Sequence, residues 1–187
     1  MSSNAREDIL EAAKKSAQAH GYGGLSMRDL AAEVGIKAAS LYYHFPSKAD
    51  LASAVAKRYW EDAAADLEKI WEENSDPAER LRFFPETFRR ALENENRMCL
   101  CSFMGAEYDD LPDPVKKEVQ IFADVNVAWL KKALVAAGAV QPDASEAHAK
   151  AVFAAVAGAQ LMARSRADIS LYDTLIDSYR TAGLLPA

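Results

Sequence analysis

Apolar residues in this chain recur at three- and four-residue intervals, and nowhere do they alternate with polar ones over the length of a strand. Val115, Val119, Phe122 and Trp129 form one such stripe, interrupted only by Asn126. Long Ala/Leu/Glu/Lys-rich segments of high helix propensity separate the stripes, and Asn-Gly or Asp-Gly hairpin turns are absent. The pattern predicts an all-α fold with helices near 5–20, 27–34, 38–45, 48–73, 77–94, 98–109, 114–138, 144–166 and 171–182. No repeat or low-complexity linker divides them. The change from short helices to long ones places a boundary near residue 50.

Capping residues sharpen these limits. Ser26 with Asp29, Ser47 with Asp50, Asp143 with Glu146 and Ser170 with Asp173 fit the capping box, in which a side-chain oxygen accepts an orphan backbone N–H. Asp76-Pro77 and Asp113-Pro114 add two starts with proline where its missing N–H costs nothing.

The segment 27–45 carries a more specific pattern. A helix-turn-helix needs a small residue where its helices cross, a glycine in the turn and a branched apolar anchor on the second helix. Ala31, Gly35 and Leu41 stand at those offsets, and Leu30, Val34 and Ile36 complete the seam. Leu41 and Phe45, one turn apart, then face inward and leave Ala39 and Tyr43 pointing out, flanked by Ser40 and Tyr42. Such a face suits a DNA major groove. Alanine touches a thymine methyl, serine hydrogen-bonds either way, and tyrosine reaches a phosphate or a base edge. Lys37 can reach base or backbone, while Arg28, Lys48 and the N–H groups after Ser26 and Ser47 suit phosphate. A plain helical hairpin whose aromatics pack on a neighbour has the same spacing.

Charge changes the picture modestly. The formal net charge is −6, yet residues 1–58 hold eight Lys/Arg against six Asp/Glu, and the remainder holds 14 against 22. A mildly basic head on an acidic body agrees with a polyanion at one end, or with chance asymmetry. No apolar run approaches a membrane span, and residues 1–30 lack the apolar core of a signal peptide, so the expected location is the cytoplasm. Cys99 and Cys101 form no disulfide framework and read as reduced thiols.

The run "ILEAAKKSAQAHGYGGLSMRDLAAEVGIKAASLYYHFPSKADL" resembles the DNA-binding domain of the TetR family of bacterial transcriptional regulators. The features that carry the resemblance are Ile9, Ala12-Ala13, Gly21-Tyr22, Ser26, Ala31 to Gly35, Leu41-Tyr42, His44-Phe45, Ser47-Lys48 and Leu51. Two features depart from it: Ser16-Ala17 replaces a bulky pair, and Lys37 stands where a serine or threonine cap is common. The resemblance implies a helix-turn-helix DNA-binding domain over 1–50 and a helical effector-binding and dimerisation domain over 51–187. It also implies a DNA-contact set of Ser26, Arg28, Lys37, Ala39, Ser40, Tyr42, Tyr43, His44 and Lys48. His44 either braces the turn or bonds a phosphate while neutral.

One helix-turn-helix covers few base pairs, so a dimer with heads about 34 Å apart is expected. Helices near 144–166 and 171–182 offer a surface for it. Ala151, Ala155, Gly158 and Ala159 form a small-residue face, and Leu171, Leu175, Ile176 and Tyr179 add bulk. The same residues could instead close the core of a monomer. Phe83, Phe84, Phe88, Cys99, Phe103, Met104, Tyr108, Phe122, Asn126 and Trp129, with Glu107 as a polar handle, are candidates for an effector cavity or for plain core. Cys99 and Cys101, near Arg97, are either reactive thiols or buried small hydrophobes.

Enzyme signatures are missing. There is no Gly-rich phosphate loop, no G-x-S-x-G elbow and no H-E-x-x-H run. His20, His44 and His148 have no acid three positions upstream, and Cys99-x-Cys101 lacks a nearby histidine, so neither a di-iron nor a zinc site is expected. The expected function is a ligand-responsive regulator, a repressor released from a near-palindromic operator by a small apolar or electrophilic effector, with no cofactor. The alternative is a helical carrier or enzyme that does not bind DNA.

Overall fold

The computed structural model describes residues 2–186, with side chains from Ala5 onward. Among them the chain is all-α, in the order α1 (Ser2–His20), α2 (Met27–Val34), α3 (Ala38–His44), α4 (Lys48–Glu73), α5 (Pro77–Glu93), α6 (Leu100–Ala106), α7 (Asp113–Ala136), α8 (Ser145–Arg166) and α9 (Ile169–Thr181). A 3-10 turn, Tyr108–Asp110, follows α6. Two compact units result: Met1–Glu61 with Leu100–Phe122, and Asp62–Cys99 with Ala123–Ala187. The boundary read near residue 50 falls inside the first unit, because Val55 and Ala56 of α4 are still buried there and α6 returns to pack on α1.

In the first unit α1 buries Ile9, Ala13 and Ala17, and the short helices contribute Leu30, Ala31, Leu41, Leu51 and Ala52. Local chemistry sets the breaks. Ser26 Oγ accepts the Asp29 N–H at 3.3 Å and starts α2. Gly35, at φ 75°, stops it by donating its N–H to the Ala31 and Ala32 carbonyls. Ser47 Oγ accepts the Asp50 N–H at 3.1 Å and donates to its carboxylate at 2.7 Å, opening α4. The helix expected over 98–109 is shorter. It ends at Ala106, where the Glu107 N–H turns back to the Met104 carbonyl and the chain tightens into the 3-10 turn.

The second unit packs α5, α8 and α9 against one another. Asp76 caps α5 as expected, accepting the Ala78 N–H at 2.9 Å ahead of Pro77. Three other caps are corrected. Asp113 is the first residue of α7 rather than its cap. Asp143 does not cap α8; Ala144 precedes that helix without a side-chain bond, and Ser145 Oγ donates back to the Pro142 carbonyl at 2.6 Å. Ser170 lies inside α9, whose cap is Asp168. Ala167 leaves α8 at φ 50°, and Asp168 is then extended, so its carboxylate meets the N–H groups of Ser170 and Leu171 at 3.0 and 3.3 Å.

Buried polar groups in this unit are paired. The Gln160 amide accepts the Cys99 N–H at 2.9 Å and donates to the Phe88 carbonyl at 2.6 Å. Tyr172 donates its hydroxyl to the carbonyl of Pro85, inside α5, at 2.7 Å. Asp173 takes Nε and Nη2 of Arg89 at 2.7 and 3.0 Å, and this pairing raises the guanidinium pKa. The small-residue face expected on α8 is divided. Ala151 and Gly158 are exposed, but Ala159 is buried within the unit's own core, as is Ile176 of α9. Exposed Leu161 and Met162 join the outer face instead.

Candidate nucleic-acid interface

The outer surface of α3 follows from its anchors. Leu41 and Phe45 are buried, so the side chains between and before them turn to solvent. Ala38 and Ala39 are exposed, Tyr42 is 49% exposed and Tyr43 83%. The Tyr43 ring is therefore largely open to solvent. Ser40 and His44 are half-buried, and the His44 ring meets Tyr43 edge-on at 5.4 Å between centroids. Lys37 is exposed and precedes α3 without a side-chain cap, because an ammonium offers no acceptor to the first N–H groups of a helix.

Around this helix stand the groups expected at phosphate. The Arg28 side chain is 91% exposed at the opening of α2, with Nε 3.4 Å from Asp29 Oδ1. Ser26 uses its hydroxyl oxygen as the acceptor that caps α2. Lys48, at the start of α4, is half-buried; its Nζ donates to the Gly23 carbonyl at 3.3 Å and lies 4.4 Å from the centre of the Tyr22 ring. Burial raises the Tyr22 phenol above its ordinary pKa.

Sequence reasoning missed the brace under that turn. Glu107, expected as the polar handle of a cavity, has both carboxylate oxygens on backbone instead. Oε2 accepts the Tyr22 N–H at 2.6 Å, and Oε1 accepts the Gly23 N–H at 3.0 Å. Two donors on one carboxylate hold the α1–α2 turn from one side while Lys48 holds it from the other.

The residues named for an effector cavity fall in both units. Phe84, Phe88, Cys99, Asn126 and Trp129 belong to the second and are buried. There Phe84 stacks on Trp129 at 5.9 Å, Phe88 lies 5.7 Å from Phe84, and Trp129 Nε1 donates to the Leu67 carbonyl at 2.9 Å. Phe153, 6.0 Å from Phe88, and Trp71, 6.5 Å from Trp129, complete the cluster and had no sequence signal of their own. Phe103, Met104, Tyr108 and Phe122 belong to the first unit. Met104 and Phe122 are buried, Phe103 is half-buried, and Tyr108 is 54% exposed with Lys116 Nζ 4.3 Å from its ring centre. Cys99 and Cys101 are both buried, which suits packing better than reaction with an oxidant. Among the described residues no His/Cys/Asp/Glu group is placed to hold a metal ion.

The family profile described as "Bacterial regulatory proteins, tetR family" matches residues 9–55. The TetR transcriptional regulator from Legionella pneumophila is 30% identical, superposes with a TM-score of 0.88, and the alignment covers 94% of this chain and 95% of that one. The chain belongs to the TetR family. A transcriptional regulator of the same family from Agrobacterium tumefaciens is 28% identical with a TM-score of 0.89 over 95% of this chain and 96% of that one. The TetR fold therefore extends well beyond the 43 residues whose motifs carry the resemblance in sequence. The Nucleoid occlusion factor SlmA of Vibrio vulnificus is 37% identical over 81 residues, 43% of this chain. The chain spans 41% of the length of that curated relative. TetR-family members are regulators and not enzymes, which removes the enzymatic half of the alternative reading.

Proposed function

We propose that this TetR-family chain is a DNA-binding transcriptional regulator, a repressor whose two heads lie in successive major grooves of a near-palindromic operator. The outward face of α3 carries the reading: two alanines and two tyrosines open to solvent above a buried Leu41 anchor. Ala39, Ser40, Tyr42 and Tyr43 meet base edges, Lys37 meets base or backbone, and Ser26, Arg28, His44 and Lys48 meet phosphate. The chain works in the cytoplasm; in agreement, no described helix is long and apolar enough to cross a membrane.

Pairing of two copies goes through α8 and α9, with Ala151, Gly158, Leu161 and Met162 exposed on α8. Control by a small molecule belongs to the same reading. An apolar effector enters the helical body, binds the state whose heads mismatch the operator more tightly, and shifts the population toward it. The Phe84–Phe88–Trp129 cluster supports an apolar ligand, and tryptophan fluorescence is the natural reporter for a panel of compounds.

Gel shift against the DNA upstream of its own gene tests the proposal. Specific retardation that weakens steeply with salt supports it. No retardation at low salt, or a strictly monomeric chain in sedimentation, overturns it.

A further inference from the structure

We propose that α3 selects its operator chiefly by touching thymine C5-methyl groups, with Ala38 and Ala39 as the residues that make the contact. The inference rests on the DNA-binding reading above and names the feature of DNA that is read. From Lys37 to His44 the chain holds no arginine, asparagine, glutamine, aspartate or glutamate, the side chains that pair base edges through directed hydrogen bonds to guanine, adenine or cytosine. The most solvent-facing stretch of α3 outside the tyrosines is the alanine pair. A methyl side chain can offer a groove only apolar contact, and the C5-methyl of thymine is the one apolar group that the four bases present there.

The remaining groups discriminate weakly. Hydroxyls of Ser40, Tyr42 and Tyr43 donate or accept, so each tolerates more than one base. Lys37 suits guanine, but it sits at the edge of the face, ahead of the helix. Small residues also let a helix lie deep in the groove, but clearance alone is indifferent to whether a pyrimidine carries a methyl group. That difference makes the two roles of alanine separable.

The full-length chain is used to select binding sites from a random-sequence duplex library. The enriched duplex is then compared with copies in which deoxyuridine replaces thymine, inside or outside the half-sites. Replacement inside is expected to weaken binding about fourfold for each methyl lost, the worth of one buried methylene-sized group. Replacement outside leaves binding unchanged and controls for duplex stiffness. In the Ala38→Ser/Ala39→Ser variant, whose folding is checked by thermal melting, the preference for thymine over uracil shrinks toward one. Equal binding to both duplexes by the native chain overturns the proposal while leaving DNA binding intact, and so does undiminished discrimination in the serine variant. A library that yields no enriched sequence overturns the DNA-binding reading itself.

Discussion

Glu107 lies over Gly21 so closely that a Cβ added there would collide with its carboxylate and oblige it to move. Gly21 also sits at φ 67°, in the left-handed region that side chains disfavour. The turn leaving α1 is thus doubly constrained, by its own backbone and by a carboxylate 84 residues from Gly23 in sequence. Lys48 approaches the same turn through the Gly23 carbonyl, so one short loop joins α1, α4 and the segment after α6 within the first unit.

Gly21→Ala therefore carries two separable costs. The left-handed backbone alone costs about 1 kcal/mol. Displacing Glu107 forfeits two charge-assisted hydrogen bonds to a partly exposed turn, for a further cost of about 1–2 kcal/mol. Denaturant unfolding should show a total near 2–3 kcal/mol, falling toward about 1 kcal/mol when the same change is made in a Glu107→Ala background. An equal cost in both backgrounds would show that the carboxylate is not the obstacle.

The head was legible in sequence because its determinants are local. Leu41 and Phe45 are a turn apart, and Gly35 follows α2 directly, so their spacing foretells which face opens. Caps read correctly at Ser26, Ser47 and Asp76 for the same reason. They failed at Asp143 and Ser170, where a competing local bond or the left-handed exit at Ala167 moved the start of the helix. Glu107 was misread because its partners come from the far end of the unit, and no pattern near residue 107 announces them. Aromatic spacing at Phe84, Phe88 and Trp129 is alike for a cavity and for a core, so only the edge-on contacts with Trp71 and Phe153 reveal how they are packed.

Lys48→Ala and Tyr43→Ala should weaken DNA binding in different ways. On the proposed pose the Lys48 ammonium meets phosphate, so removing it lowers affinity alike for all sequences and reduces the slope of log K against log salt by about 1 for each head. Removing the exposed phenol leaves that slope nearly unchanged and narrows the gap between operator and random DNA. Salt titrations with both duplexes distinguish them; identical slopes for Lys48→Ala and the native chain would take Lys48 off the phosphate.

Ala167→Gly should stabilise the chain. Ala167 ends α8 at φ 50° and ψ 39°, donating its N–H to the Ala163 and Arg164 carbonyls. Glycine adopts that conformation without a Cβ penalty, a gain of about 0.5–1 kcal/mol after its greater freedom in the unfolded chain is counted. Thermal melting should shift upward by roughly 1–4 °C for a chain of this size. A lower melting temperature would mean that the Ala167 methyl contributes packing that outweighs the strain.

Tyr172 gives the chain a defined alkaline weakness. Its hydroxyl donates to the buried Pro85 carbonyl at 2.7 Å, and burial, reinforced by Glu86 and Asp173, raises its pKa above the ordinary 10.0. Near neutral pH, Tyr172→Phe removes the donor and should cost about 1–2 kcal/mol. Above about pH 10 this advantage is progressively lost. The unfolded chain then releases a proton that the folded chain retains, so stability falls by up to about 1.4 kcal/mol per pH unit. The phenylalanine variant has no such proton to lose. Its deficit should shrink as pH rises past about 10 and close within one or two further units. Paired urea titrations from about pH 7 to pH 11 measure the difference directly. A constant gap across that range would mean that the phenol ionises alike in both states, and that its hydrogen bond leaves the proton no more tightly held than water does.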